Sequence, residues 1–207
     1  QKKRDITVII GNPPYSSGQS SANDNAANIK YTNLDNLIAN SYAKYSTATN
    51  RQDLYDSYIR AFCWASNRIG EEGVIGFVTN GGWIDGNATD GFRKCLTEDF
   101  SKIYIFHLRG NQRTSGELSR KEGGKIFGAG SRAPIAITIL VKKKNSPEQG
   151  KIFFHDIGDY LDQKQKLEII ENFKSISDIQ KANKFIEIHP DEDNDWIIAE
   201  SLMKKYS

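Results

Sequence analysis

Neither a long apolar run nor a Cys-x-x-Cys pair occurs anywhere in this chain of 207 residues. No stretch approaches the roughly 18 consecutive apolar residues that a membrane-spanning helix needs, so no membrane partner is expected. No charged-apolar-small leader stands at the amino terminus, and the expected compartment is the cytoplasm. Only two cysteines are present, Cys63 and Cys95, each inside a segment expected to be helical and neither near a Cys/His cluster. That excludes a disulfide framework and a zinc site and leaves two core thiols. The three histidines, His107, His155 and His189, are scattered without local partners, so no metal is expected. A formal charge of +2 is too small to argue for any partner by itself. The length allows one sizeable domain, or one with the beginning of another.

What is present is concentrated early. Residues 6–10 form an apolar run that reads as a buried strand, and after Gly11 comes Asn12-Pro13-Pro14-Tyr15. The tetrapeptide places an amide, two rigid backbone carbonyls and an aromatic face on one turn. The Asn12 side-chain oxygen and the Pro13 carbonyl can accept the two hydrogens of an exocyclic amino group, Pro14 fixes the turn, and Tyr15 can stack on the ring. An adenine amino group is a poor nucleophile because its lone pair is delocalised. Two converging acceptors favour the more pyramidal nitrogen that forms during attack on an activated methyl group. Asn and Pro are also ordinary turn formers, but a turn at the carboxyl end of a strand in an alternating strand and helix pattern is where open α/β sheets bind ligands.

The pattern continues after a long insert, residues 16–50, rich in Ser, Asn and Ala. It reads as a lid or a partly disordered segment, interrupted by a short helix over 33–45. Asp53 is the expected N-cap of an amphipathic helix that ends near Gly70. Strands are expected over 74–79, 103–108, 135–141 and 152–154, and helices over 90–99 and, as a charged surface element, 163–173. Between Arg109 and Arg132 stand Arg109, Arg113, Arg120, Lys121, Lys125 and Arg132 against two glutamates. This loop is expected to be mobile and to contact DNA phosphates.

With these stretches the chain resembles the adenine-specific DNA methyltransferases that carry an Asn-Pro-Pro-Tyr motif, above all the methyltransferase segment of type ISP single-chain restriction-modification enzymes. The likeness runs from about Asp5 to Lys143. It rests on the tetrapeptide, on Asp53-Leu54-Tyr55-Asp56-Ser57-Tyr58-Ile59-Arg60-Ala61-Phe62, on Gly73-Val74-Ile75-Gly76-Phe77-Val78-Thr79-Asn80, on Leu108-Arg109-Gly110-Asn111, and on the segment from Lys125 to Ile137. The resemblance implies an α/β, Rossmann-like methyltransferase fold whose sheet ends in an antiparallel strand pair. It also implies transfer of a methyl group from S-adenosylmethionine to adenine in DNA, with Phe127 lying against the flipped base opposite Tyr15.

In that family a Gly-rich turn and an acidic residue hold the cofactor ahead of the Asn-Pro-Pro-Tyr strand, and neither precedes Asn12 here. Residues 1–144 are therefore expected to be the carboxyl-terminal half of a methyltransferase catalytic domain. Residues 145–207 would begin a following region that leads to a target recognition domain. The remaining partners expected in the same parent chain are the amino-terminal half and a helicase-nuclease. The rival readings are methylation of RNA or of a protein glutamine, and a non-catalytic nucleic-acid-binding module. Asp156 and Asp159 could pair as carboxylates but have no local cleft, and Asp191-Glu192-Asp193-Asn194-Asp195 reads as a solvated acidic turn.

Overall fold

A computed structural model describes residues 5–14, 31–127 and 132–196. The elements in chain order are β1 (Val8–Gly11), α1 (Thr32–Asn40), α2 (Tyr42–Tyr45), α3 (Ser57–Arg68), β2 (Gly73–Asn80), α4 (Asp90–Asp99), β3 (Lys102–Arg109), α5 (Gly116–Glu122), β4 (Ile135–Lys142), β5 (Lys151–Asp156), α6 (Gln163–Phe173), α7 (Ile176–Lys181) and β6 (Ile186–Ile188). The strands form one six-stranded sheet in the order β1-β2-β4-β3-β5-β6. β1 is parallel to β2, β4 is antiparallel to both β2 and β3, and β5 is parallel to β3. The carboxyl ends of β1, β2, β3 and β5 therefore share one edge of the sheet, where β4 begins.

The two faces follow from the period of two along each strand. Ile75 and Phe77 of β2, Ile103 and Ile105 of β3, and Ala136 and Leu140 of β4 meet the helices α1–α4 in the main core. The alternate residues Val78, Phe106, Leu108 and Ile137 meet Ile169, Ile170, Phe173 and Ile179 of α6 and α7. In α3, Tyr58, Ile59, Phe62 and Cys63 are buried on the sheet side. Full burial of one such large apolar side chain is worth about 1.5–3 kcal/mol. Val8 and Ile10 remain 57% and 82% exposed on the opposite face of β1.

Several expectations need amendment. The antiparallel pair β3 and β4 is present, but the sheet does not stop there: β5 and β6 add to it beyond β3. The expected division at residue 144 falls on a turn between two strands of this one sheet. Asp53 does not cap α3. It sits in a short 3₁₀ helix, Gln52–Tyr55, which brings Leu54 into the core, and Asp56 is the cap, its side chain accepting from the Tyr58 amide. The basic loop is not featureless, because α5 forms within it and is closed by Gly123 at φ +67°.

Candidate active site at the carboxyl edge of the sheet

β1 ends on Gly11, where an added Cβ would press on the Phe77 ring at 3.3 Å. The missing side chain lets the chain leave the sheet directly above β2. Asn12 and Pro14 are then exposed and Pro13 half-buried, while Tyr15 lies outside the described residues. β2 leaves the sheet at the same edge through Asn80-Gly81-Gly82. The Asn80 side-chain oxygen accepts from the Gly82 amide at 2.8 Å, and the Gly81 amide donates to Pro134 O at 2.8 Å. A Cβ at Gly81 would meet His107 at 3.2 Å and Ala136 at 3.3 Å, so this turn packs tightly onto β3 and β4.

Beside the turn lies a cleft of ≈ 200 Å³ lined by Asn80, Gly82 and Asp85 from the β2 exit, Asp56 and Tyr58 from the start of α3, His107 from within β3, and Asn111, Arg113 and Glu122 from beyond it. Its wall mixes carboxylates with one guanidinium and one imidazole. The Glu122 carboxylate accepts from the Asn111 amide at 2.8 Å and so braces the chain that carries Arg113. Neither Asn12 nor Phe127 belongs to the lining. The structure thus brings the motif, the cleft and the segment bearing Phe127 to one sheet edge without making them one pocket among the described residues. Phe127 is 38% exposed, next to the buried Ile126.

The basic residues divide into two kinds. Arg109 ends β3 with φ +56°, a conformation unfavourable for a residue with a side chain. Its Nε donates to Asp156 at 2.8 and 3.0 Å, and its Nη1 pairs with Asp159. The guanidinium is therefore engaged within the fold, as a strap across the ends of β3 and β5. Burial raises the Asp156 pKa, but the His107 imidazole 3.6 Å away and the Arg109 charge outweigh it and hold the carboxyl down at about 2. The carboxylates left without a site in the sequence thus anchor a turn. Lys121 lies 3.9 Å from Asp159, Arg120 pairs with Glu117 at 2.8 Å, and Arg132 donates to Gln112 O at 2.8 Å. Arg113, Arg120 and Arg132 are exposed, and Lys125 is half-buried.

Sequence reasoning missed Arg93. It is fully buried in α4, donating to Trp83 O, Gly86 O and Thr89 Oγ1 on the loop beside the cleft, to Asn194 O at 2.8 Å, and to Asp195. The acidic turn at 191–195 is built around Asp191, whose side chain accepts from the Asp193 and Asp195 amides. No group of three or more His, Cys, Asp and Glu suited to a metal occurs among the described residues. No helix among them is long and apolar enough to cross a membrane.

S-adenosylmethionine needs a glycine turn whose free amides approach the ligand. The Gly81 and Gly82 amides are already spent on Pro134 and Asn80, so this turn does not fit that role.

The Eco57I restriction-modification methylase family matches residues 1–113. A comparison with curated proteins finds no match. Among solved structures, a nuclease-deletion mutant of the Type ISP restriction-modification enzyme LlaGI, in complex with a DNA substrate mimic, is 54% identical. Its TM-score is 0.86 over 93% of this chain and 15% of that one. The ATP-dependent Type ISP enzyme LlaBIII, bound to DNA, is 46% identical with a TM-score of 0.86, over 93% of this chain and 12% of that one. DrdV in complex with DNA is 38% identical with a TM-score of 0.84, over 94% of this chain and 18% of its own. The chain spans less than a fifth of each of these three proteins.

Proposed function

The chain belongs to the Eco57I restriction-modification methylase family, and from that membership we propose that it is the adenine-presenting part of a DNA methyltransferase within a restriction-modification enzyme. The observation that carries the reading is the position of Gly11-Asn12-Pro13-Pro14 at the carboxyl edge of parallel strands, in a fold of which two relatives were solved with DNA and a third with a DNA substrate mimic. The DNA bound by two of those relatives favours DNA over RNA or a protein glutamine as substrate.

In this reading the Asn12 side-chain oxygen and the Pro13 carbonyl accept the hydrogens of the adenine amino group. Pro14 holds the turn, and Tyr15 and Phe127 close on the two faces of the extruded base. Packing against such aromatics contributes about 1–3 kcal/mol per base towards the cost of leaving the duplex. Arg113, Arg120, Lys125 and Arg132 serve the phosphates. Arg109 does not join them, because its charge is neutralised by Asp156 and Asp159, and Lys121 contributes less for its place near Asp159. The methyl donor is S-adenosylmethionine. The Gly81-Gly82 turn, its amides already engaged, is not the cradle for it.

The test is Asn12→Ala in the complete enzyme. Loss of an acceptor aimed at the reacting nitrogen should lower kcat by about 100-fold or more, with donor affinity unchanged. Turnover within a few-fold of wild type would overturn the assignment of Asn12.

A further inference from the structure

We propose that Lys166, assisted by Gln163, is a positioning residue for the base-clamping segment, holding the backbone of residues 122–127 so that Phe127 is presented at the sheet edge. The proposal rests on the reading of Phe127 given above. It assigns a role in the base site to α6, an element beyond the expected division at residue 144.

Lys166 is completely buried. Its ammonium donates to Glu122 O at 2.7 Å, on the last residue of α5, and to Gly124 O at 2.9 Å, just past the end of that helix. Glu122 O also accepts from the Gly110 amide at 3.1 Å, so one cation ties the exit of β3 to the segment that approaches Phe127. One turn earlier on α6, Gln163 Nε2 donates to Ile126 O at 2.7 Å, the residue adjoining Phe127. The Gly124 amide completes the set by donating to Leu161 O at 2.9 Å. The two backbones touch: a Cβ at Gly123 would lie 2.1 Å from Leu161 O, and one at Gly124 2.6 Å from Gln163 N. The start of α6 is itself fixed by a capping box between Asp162 and Gln165.

A buried ammonium is an expensive way to fill space, since a methionine of similar length would bury without desolvating a charge. What lysine alone adds here is a pair of strong donors for carbonyls that no helix or ladder bond satisfies. Burial lowers the Lys166 pKa to about 8. Glu122 of α5 and Asp156 of β5 favour the charged form, and Arg109 of β3 opposes it. The full clamp is therefore present below pH 8 and weakens as the ammonium loses its proton above it.

The experiment uses the complete enzyme and a duplex with 2-aminopurine at the target adenine, whose fluorescence reports extrusion. Four proteins are compared: wild type, Lys166→Met, Gln163→Ala and Phe127→Ala. Lys166→Met should lower the extruded fraction by about tenfold, the scale of losing a charged hydrogen bond, and Gln163→Ala by a few-fold. In wild type the signal should fall as pH rises through about 8, and in Lys166→Met that inflection should vanish. If Lys166→Met fails to fold, Gln163→Ala and the wild-type pH profile decide in its place. A Phe127→Ala signal equal to wild type would remove the reading of Phe127 itself. A reduced Phe127→Ala signal beside unchanged Lys166→Met and Gln163→Ala signals would overturn the clamp alone.

Discussion

Replacing Arg93 by Met removes the guanidinium that joins the loop beside the cleft to the acidic turn, while keeping most of the buried stem. The cost can be worked donor by donor. Thr89 Oγ1 lies 2.8 Å from Trp83 O and 2.7 Å from Gly86 O, and Gly86 O also accepts from the Thr89 amide at 3.1 Å, so both carbonyls keep a donor. Asn194 O loses the Nε donor. Asp195, whose side chain is 50% exposed, regains water. One stranded acceptor, Asn194 O, at about 1–3 kcal/mol gives a loss of about 2 kcal/mol. In the complete enzyme this should appear as local opening: amides of residues 82–93 and 191–196 should exchange with deuterium roughly 30-fold faster. Asp195→Asn, which leaves every carbonyl contact in place, should cost less than about 1 kcal/mol. Unchanged exchange in Arg93→Met, or an equal effect from Asp195→Asn, would refute the view that the Asn194 carbonyl and not the ion pair dominates.

Two further outcomes follow from the packing and the charges. Gly91→Ala should destabilise the contact between α2 and α4 despite alanine's better helix propensity, because the new Cβ would lie 2.0 Å from Tyr42 O and 2.6 Å from Ser46 N. Overpacking of about 1–3 kcal/mol exceeds the gain of about 1 kcal/mol from propensity, and faster exchange over residues 42–46 would register it. Asp156, held at about 2 from an ordinary 3.8, should contribute stability that is complete above pH 4 and lost as pH falls towards 2. Acid titration of Asp156→Asn should therefore lack that step, and a step of wild-type size would contradict the strap.

The local signals were the legible ones. The apolar runs of β2 and β3, the helical period of α4 and the bounds of α6 could be read from the residues, because each element's burial is set by its own neighbours in sequence. The pairing order was not legible: β4 inserts between β2 and β3, and β5 and β6 extend the sheet, through contacts between distant segments. Arg109 read as part of a basic loop because its partners, Asp156 and Asp159, lie far along the chain. Lys166 was hidden within a helix read as charged and superficial. A signal was available, since Lys166, Ile170 and Phe173 fall at i, i+4 and i+7, which puts the lysine on the apolar face. Arg93 carried a like mark, with Leu96 and Phe100 at i+3 and i+7, but its partners are mostly backbone carbonyls that any sequence has.

The most direct measurement is the position of the transferred methyl group. The complete enzyme would be incubated with isotopically labelled S-adenosylmethionine and duplex DNA, a matched RNA and a glutamine-bearing peptide, followed by mass spectrometry of the digested products. The account predicts label on the exocyclic nitrogen of adenine in the duplex and none above background in the RNA or the peptide. Label on a cytosine, or preferential transfer to RNA or glutamine, would contradict it.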